Sequence, residues 1–350
     1  MRVFHVGADR FTELAAPPAT LPDGGFLWIG VERDAFETGI ATIQGHLHGW
    51  TGGALVDLHV SDLLNVQLPS HFDSTSWYDL LVFRRLTAGA ATDKLVSLDT
   101  SAVGFAVFDR VLLTVHPTDC PVREHFVQRL QTLLAAVDAR AGARLPATPA
   151  DLMLRMVNHM VDGYLELRRA LSRQLADLQR ELLDPKTRFD DWSLLLASRN
   201  SLNLLEDTCE DQRAAIQEWI DTVDEWPSPA DAAAQRERDI LRVRSRDVLE
   251  HIERVLSHVR RLEQSAENAV QMHFSALSHR TNAIMRTLTV LTAIFLPLNL
   301  ITGFFGMNFD ALPLIHTRTG VWIAVGLMAA VGLGLALLFW RKRYLGTRTR

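Results

Sequence analysis

Two long runs without a formal charge lie close together near the C-terminus, and they constrain the chain more than any other feature. Residues 287–309 are 23 consecutive positions lacking Asp, Glu, Lys and Arg, and residues 319–340 are 22. As helices, runs of that length reach about 33 Å, which matches a hydrocarbon core of about 30 Å. Trp322 and Trp340 stand near the two ends of the second run, where interfacial anchors belong. Arg280 and Arg286 precede the first run and Arg341-Lys342-Arg343 follow the second, whereas the connection at 310–318 holds only Asp310, His316 and Arg318. This charge placement puts both termini in the cytoplasm and the connection outside. Two buried core helices of a soluble protein are the competing reading. It is disfavoured because paired uncharged runs of this length with such flanks are rare there.

The two runs differ in kind. The second is rich in Gly, Ala, Val and Leu, while the first carries Thr287, Thr289, Thr292, Asn299, Thr302 and a central Pro297. On a helix, Asn282, Met285, Thr289, Thr292, Leu296, Asn299 and Gly303 recur at steps of three and four and share one face. Ile284, Leu288, Leu291, Phe295 and Leu298 lie to its side. Polar groups in lipid face a bundle interior or water, so the face reads either as a pore wall or as glue between helices. Two spans cannot enclose a pore, so the pore reading demands a symmetric oligomer with the first span inside.

Upstream, the chain reads as soluble. Short apolar runs at 26–31, 80–86, 94–98, 103–108 and 111–115 predict strands, and 36–48 and 122–140 predict helices. A helix is expected over 149–184, with Val157, Val161, Tyr164, Leu167, Leu171, Leu175, Leu178 and Leu182 on one side. A second is expected over 190–226. A third opens at Ser228-Pro229-Ala230-Asp231 and meets neither proline nor glycine until Pro297. This third helix is expected to run unbroken to Phe305, more than about 100 Å. Its apolar stripe is expected to include Ile240, Val243, Val248, Ile252, Val255, Val259, Leu262, Ala266, Ala269, Val270 and Leu277, paired with the two preceding helices as a stalk. The expected organisation is therefore a cytoplasmic α/β (or α+β) domain at 1–145 and a helical stalk at 146–286. The first transmembrane helix at 287–309, an external loop at 310–318, a second transmembrane helix at 319–340 and a basic tail at 341–350 complete it.

Net charge of -5 gives no reason to expect nucleic-acid binding. Cys120 and Cys209 are far apart, which fits a reducing compartment and argues against a cysteine zinc site. Residues 1–5 lack the apolar core of a signal peptide, so the soluble part is expected in the cytoplasm. No Ser/His/Asp set, paired catalytic carboxylates, phosphate-cradling glycine loop or histidine zinc motif stands at useful spacing, and an enzyme is not expected.

Four stretches carry a family likeness: Asn282-Ala283-Ile284-Met285-Arg286, Ile294-Phe295-Leu296-Pro297-Leu298, Gly303-Phe304-Phe305-Gly306-Met307-Asn308-Phe309, and Pro313. Their placement at the outer end of the first of two C-terminal spans resembles the CorA family of divalent metal-ion transporters, most clearly over 240–345. The resemblance implies a homopentameric funnel in the inner (plasma) membrane, with first spans lining the pore and second spans in an outer ring. It implies Mg2+ as the substrate, with Co2+ and Ni2+ as further cargo, and no resident cofactor. Gly306, Met307 and Asn308 would form the outer mouth, with Asn308 receiving the ion and Asp310 nearby. Asn282, Asn299 and Gly303 match pore-lining positions, and Met285 and Leu288 match the narrow apolar section. Asp247 and Asp62 match acids that bind regulatory Mg2+ between subunits and hold the closed state. Where relatives often carry Glu after the loop proline, Leu314 stands here. A zinc transporter of the same fold is the near alternative, and a membrane-anchored helical sensor or scaffold the distant one. His46, His48, His251, His273 and His279 read as scattered surface histidines rather than a soft-metal site.

Overall fold

The computed structural model describes residues 1–88, 98–118, 120–136, 144–184, 192–227, 231–307 and 318–342. They divide into two compact units, Met1–Glu267 and Asn268–Arg350. The first opens with β1 (Arg2–Val6), β2 (Phe11–Leu14), β3 (Phe26–Glu32), α1 (Arg33–Thr51), α2 (Asp57–Leu64), β4 (His71–Ser74) and β5 (Asp79–Ala88). Next come β6 (Leu98–Val107), β7 (Val111–His116), α3 (Pro121–Ala136), α4 (Pro149–Asp162), α5 (Tyr164–Leu183) and α6 (Trp192–Glu225). Helix α7 (Ala232–Phe305) belongs to both units, and α8 (Arg318–Arg341) to the second.

The described strands form one sheet in the order β2-β1-β3-β7-β6-β5-β4. Only β3 and β7 pair in parallel; every other neighbour is antiparallel. Alternation along β3 splits the core by face. Leu27, Ile29 and Val31 pack with Phe36, Ile43 and Leu47 of α1, while Phe26 and Trp28 pack with α3, α4 and the helices that follow. Trp28 donates its indole N–H to the Thr114 hydroxyl at 2.9 Å, so a polar link crosses the β3–β7 pair inside the core.

Helix α4 begins where the sequence places it. Thr148 accepts from the Asp151 N–H and Pro149 occupies the first turn, where its missing N–H is harmless. The expected single helix over 149–184 is instead two, divided at Gly163, a residue with no side chain to hold the helix and a low helix propensity. The apolar stripe nevertheless continues across the break, with Val157, Val161, Tyr164, Leu171, Leu175, Leu178 and Leu182 buried. The boundary expected at 145/146 falls within the first unit, because Leu152, Met153, Met156 and Val157 share the core of one sheet face.

Three strands escaped the sequence reading: β1, β2 and β4. The last two are four-residue edge strands, too short for a period-two pattern. Strand β6 starts at Leu98 rather than 103, and the expected strand at 94–98 otherwise lies outside the described residues. Helix α2 was not anticipated.

Helix α7 is continuous over 74 residues; no proline or glycine interrupts it before Pro297, and it runs on through Pro297 to Phe305. Its buried seam is shifted from the expected one at the start. Ile240 and Val243 are exposed, and Leu241 and Ser245 are buried instead. The hydroxyl of Ser245 accepts the Trp219 indole N–H at 2.9 Å and donates to the Leu241 carbonyl at 2.8 Å, so a polar residue holds a core position. Val248, Ile252, Val255 and Val259 continue the seam as expected, whereas Leu277 is exposed.

Gly25 holds φ 74°, and a Cβ there would run into the carbonyl oxygen of Val6. Gly25→Ala is therefore expected to cost on the order of 1–3 kcal/mol of stability or more, read as a lowered Tm of the purified full chain. An unchanged Tm would remove the argument.

Candidate functional site

Over residues 287–305 of α7, in the Asn268–Arg350 unit, the covered positions are Val290, Ala293, Ile294, Pro297, Leu298, Ile301 and Phe305, at helical steps of one, three and four. On α8 they are Gly320, Ala324, Met328, Val331, Gly332, Leu335, Ala336 and Phe339. Small residues let α8 lie close to α7. A Cβ at Gly332 would stand 3.8 Å from both methyl carbons of Leu298, an ordinary contact that leaves no room for more. Pro297 sits in this seam and brings no N–H, so it frees the Ala293 carbonyl from the helical ladder.

The polar face of α7 points the other way. At about 100° per residue, Asn282, Met285, Thr289, Thr292, Leu296, Asn299 and Gly303 centre roughly opposite the α8 seam, and all seven are exposed in the chain. Leu288 lies at the edge of that face, also exposed. Thr289 donates its hydroxyl to the Met285 carbonyl at 2.8 Å and Thr292 to the Leu288 carbonyl at 2.9 Å. Thr287 and Thr302 bond back in the same way, to Ala283 and Asn299. Each hydroxyl thereby spends its only proton inside the helix and presents oxygen lone pairs outward. The face consequently offers acceptors and no formal charge, the chemistry that suits a hard cation or its hydration water. At Gly303 a Cβ would meet nothing within 4 Å.

Helix α7 closes with the Gly306 N–H on the Thr302 carbonyl at 2.9 Å, and a Cβ at Gly306 would crowd that oxygen at 3.0 Å. Glycine thus fits this turn for a packing reason. Met307 follows, exposed. Asn308, Asp310 and Leu314 lie outside the described residues.

The two acids assigned to regulation belong to the first unit. Asp62, on α2, has its carboxylate 3.8 Å from Nε2 of His71. Asp247, on α7, is exposed and stands 3.8 Å from Nε2 of His251, whose Nδ1 is 3.5 Å from Asp162. Within one chain the structure does not pair Asp62 with Asp247, and among the described residues no group of three or more His, Cys, Asp or Glu is arranged to hold a metal. Asp162 was missed as a neighbour of this cluster. The i, i+4 spacing of Asp247 and His251 was the only local signal, and it says nothing about α4. His46 stacks on Trp50 at 5.2 Å.

Residues 53–343 match the family described as CorA-like Mg2+ transporter protein. The chain belongs to that family. It is 25% identical over 256 residues to the magnesium transport protein CorA of Haemophilus influenzae, across 71% of this chain and 73% of that one. It is 28% identical over 100 residues to the cobalt/magnesium transport protein CorA of Thermotoga maritima, a match spanning 29% of this chain and only 28% of the relative. In fold it is similar to the complete structure of the CorA magnesium transporter from Methanocaldococcus jannaschii, with TM-score 0.70 and 17% identity over 97% of this chain and 98% of the other. A CorA-family chain is a membrane transporter and not an enzyme, and two helices here are long and apolar enough to cross a membrane.

The α7–α8 seam yields a paired expectation for this CorA-family chain. Gly332→Leu should push α8 off Leu298 and lower the Tm in detergent. Gly334→Leu, where a Cβ meets nothing within 4 Å, should leave it unchanged. Equal effects of the two substitutions would contradict the seam.

Proposed function

We propose that the chain is one subunit of a homopentamer that conducts divalent cations into the cytoplasm, with Mg2+ as the principal substrate and Co2+ and Ni2+ as further cargo. The observation that carries the proposal is the uncharged acceptor face of α7, turned away from α8. A ring of such faces encloses a path lined by oxygen, with Asn308 receiving the ion at the mouth and Asn299 and Gly303 below it. Met285 and Leu288 would form the apolar section, where loss of water closes the path. Neutral carbonyl oxygens suit Mg2+, which gives up its water reluctantly, because they touch the water shell without trapping the ion. The names of the relatives, magnesium in one and cobalt/magnesium in the other, favour this choice over zinc.

In this reading both termini are cytoplasmic and the membrane is the inner (plasma) membrane. A divalent ion entering an inside-negative cell gains about 4.6 kcal/mol per 100 mV, twice the single-charge figure. Control comes from cytoplasmic Mg2+ shared by Asp247 of one subunit and Asp62 of the next. When Mg2+ falls, the bare carboxylates repel and loosen the ring.

Flux into proteoliposomes tests the path. Asn308→Ala and Asn299→Leu should each lower Mg2+ flux by about tenfold or more, corresponding to roughly 1.4 kcal/mol or more. Leu333→Ala, on the exposed face of α8, should not. Zinc flux without magnesium flux would overturn the ion assignment, a monomer in detergent would overturn the ring, and flux indifferent to Asn308 would favour a scaffold.

Limited proteolysis tests the control. Asp247→Ala should require more Mg2+ than the parent chain to protect the α5–α7 helices from cleavage. Identical protection curves at millimolar Mg2+ would remove Asp247 from the regulatory site.

A further inference from the structure

A cavity of about 650 Å3 opens in the Met1–Glu267 unit between α3, α4, α7 and the segment at 144–147. That volume is within the usual range for a small-molecule site. Five arginines line it: Arg129, Arg144, Arg155, Arg236 and Arg244. At its wall the buried carboxylate of Asp151 takes two of them. Arg155 closes on it through two bonds of 2.9 and 3.2 Å, and Nε of Arg244 reaches it at 3.0 Å. One negative charge between two guanidiniums leaves positive charge over. Burial lowers the Arg244 pKa from its ordinary value; Asp151 opposes that shift, and nearby Arg155 and Arg129 add to it. Among the described residues neither Arg129 nor Arg236 has a carboxylate partner, and both are exposed. Beyond Asp151 the lining acids are Glu237, Asp162 and Asp247, the last two beside His251, so the five arginines outnumber the carboxylates by one.

The rest of the wall is of two kinds. Leu133, Leu154 and Ile240 supply apolar surface. Asn158 supplies a buried carboxamide oxygen with no hydrogen-bond partner among the described residues. That oxygen is closed off from the cavity as well as from solvent, so it takes no part in ligand contact. Guanidinium groups, two of them held by Asp151, and an apolar wall together describe a ligand with an anionic end and an apolar body.

We propose that this cavity binds a small organic phosphate of mononucleotide size. Its phosphate lies among Arg129, Arg155, Arg236 and Arg244, and its ring against Leu133, Leu154 and Ile240. The proposal does not rest on the transport reading and stands or falls separately from it.

Titration calorimetry on the purified full chain in detergent, in magnesium-free buffer, tests the site with AMP, inorganic phosphate and adenosine. AMP is expected to bind more tightly than inorganic phosphate, and adenosine not to bind. The double variant Arg129→Gln/Arg236→Gln changes two exposed side chains and should keep the parent Tm. It is expected to weaken AMP by about tenfold or more, one or more lost charge-assisted contacts. No heat with millimolar AMP overturns the site, as does AMP affinity unchanged in the double variant. Inorganic phosphate binding as tightly as AMP overturns the organic half of the assignment.

Discussion

Threonine and asparagine side chains on one face of α7 lie in a segment whose length and apolarity suit hydrocarbon. Polar groups there require partners, because lipid offers none. The threonines solve half of the problem locally, by donating to carbonyls one turn back. Among the described residues the Asn299 carboxamide makes no such bond, and the outward lone pairs of Thr289 and Thr292 have no partner. Helix α8 cannot meet them. It packs on the opposite side of α7 through glycine, alanine and apolar residues, and its sequence from Gly320 to Phe339 contains no hydroxyl or carboxamide side chain. The partner must therefore come from outside this hairpin of helices. Further copies of the same face around water meet the requirement, and a closed ring is the arrangement in which every copy is equivalent.

The first unit answers a different demand, that a mixed sheet be covered on both faces. Helices α1 and α2 cover one face, and α3, α4 and later helices the other. Helix α4 is buried on nearly every side, which explains why the sheet and the following helices form one compact unit rather than two. Polar links inside that core are specific: Trp28 to Thr114, Trp219 to Ser245, and Tyr164 with Gln212 on the strand carbonyl of Arg84. Each satisfies a group that burial would otherwise penalise. Such pairs tie α5, α6 and α7 to fixed registers where apolar contact alone would tolerate sliding.

Much of this was legible in the residues, and the gaps have physical causes. The unbroken α7 followed from the absence of glycine and proline before Pro297, a local property that needs no tertiary knowledge. The polar face of its membrane segment followed from helical spacing alone. By contrast, the break at Gly163 was hidden because the apolar stripe runs through it without a phase change. The shift of the seam from Ile240 and Val243 to Leu241 and Ser245 was hidden because an apolar count discards serine, and only the indole of Trp219 explains its burial. The neighbourhood of Asp162, Asp247 and His251 depends on how α4 meets α7, a long-range fact with no sequence period. The same holds for the cavity, whose arginines come from three helices and the 144–147 segment.

The distribution of charge supports a division of labour between the two units. From Thr287 to Met307 the chain has no carboxylate, so on the proposed path a divalent ion would meet dipoles of side-chain and water oxygen and no fixed opposite charge. Attraction between a divalent ion and a carboxylate in a low-dielectric ring would be many times that of a carbonyl dipole, and release would slow accordingly. A conducting path is better built from weak neutral contacts. A sensor needs the reverse: its occupancy must fall only when the ion becomes scarce, which calls for charged oxygen. Asp62 and Asp247, the acids of the proposed control, both lie in the Met1–Glu267 unit, outside the uncharged segment. Exchanging the two chemistries, acids in the path and amides at the sensor, would give a chain that binds the ion where it should pass and ignores it where it should respond.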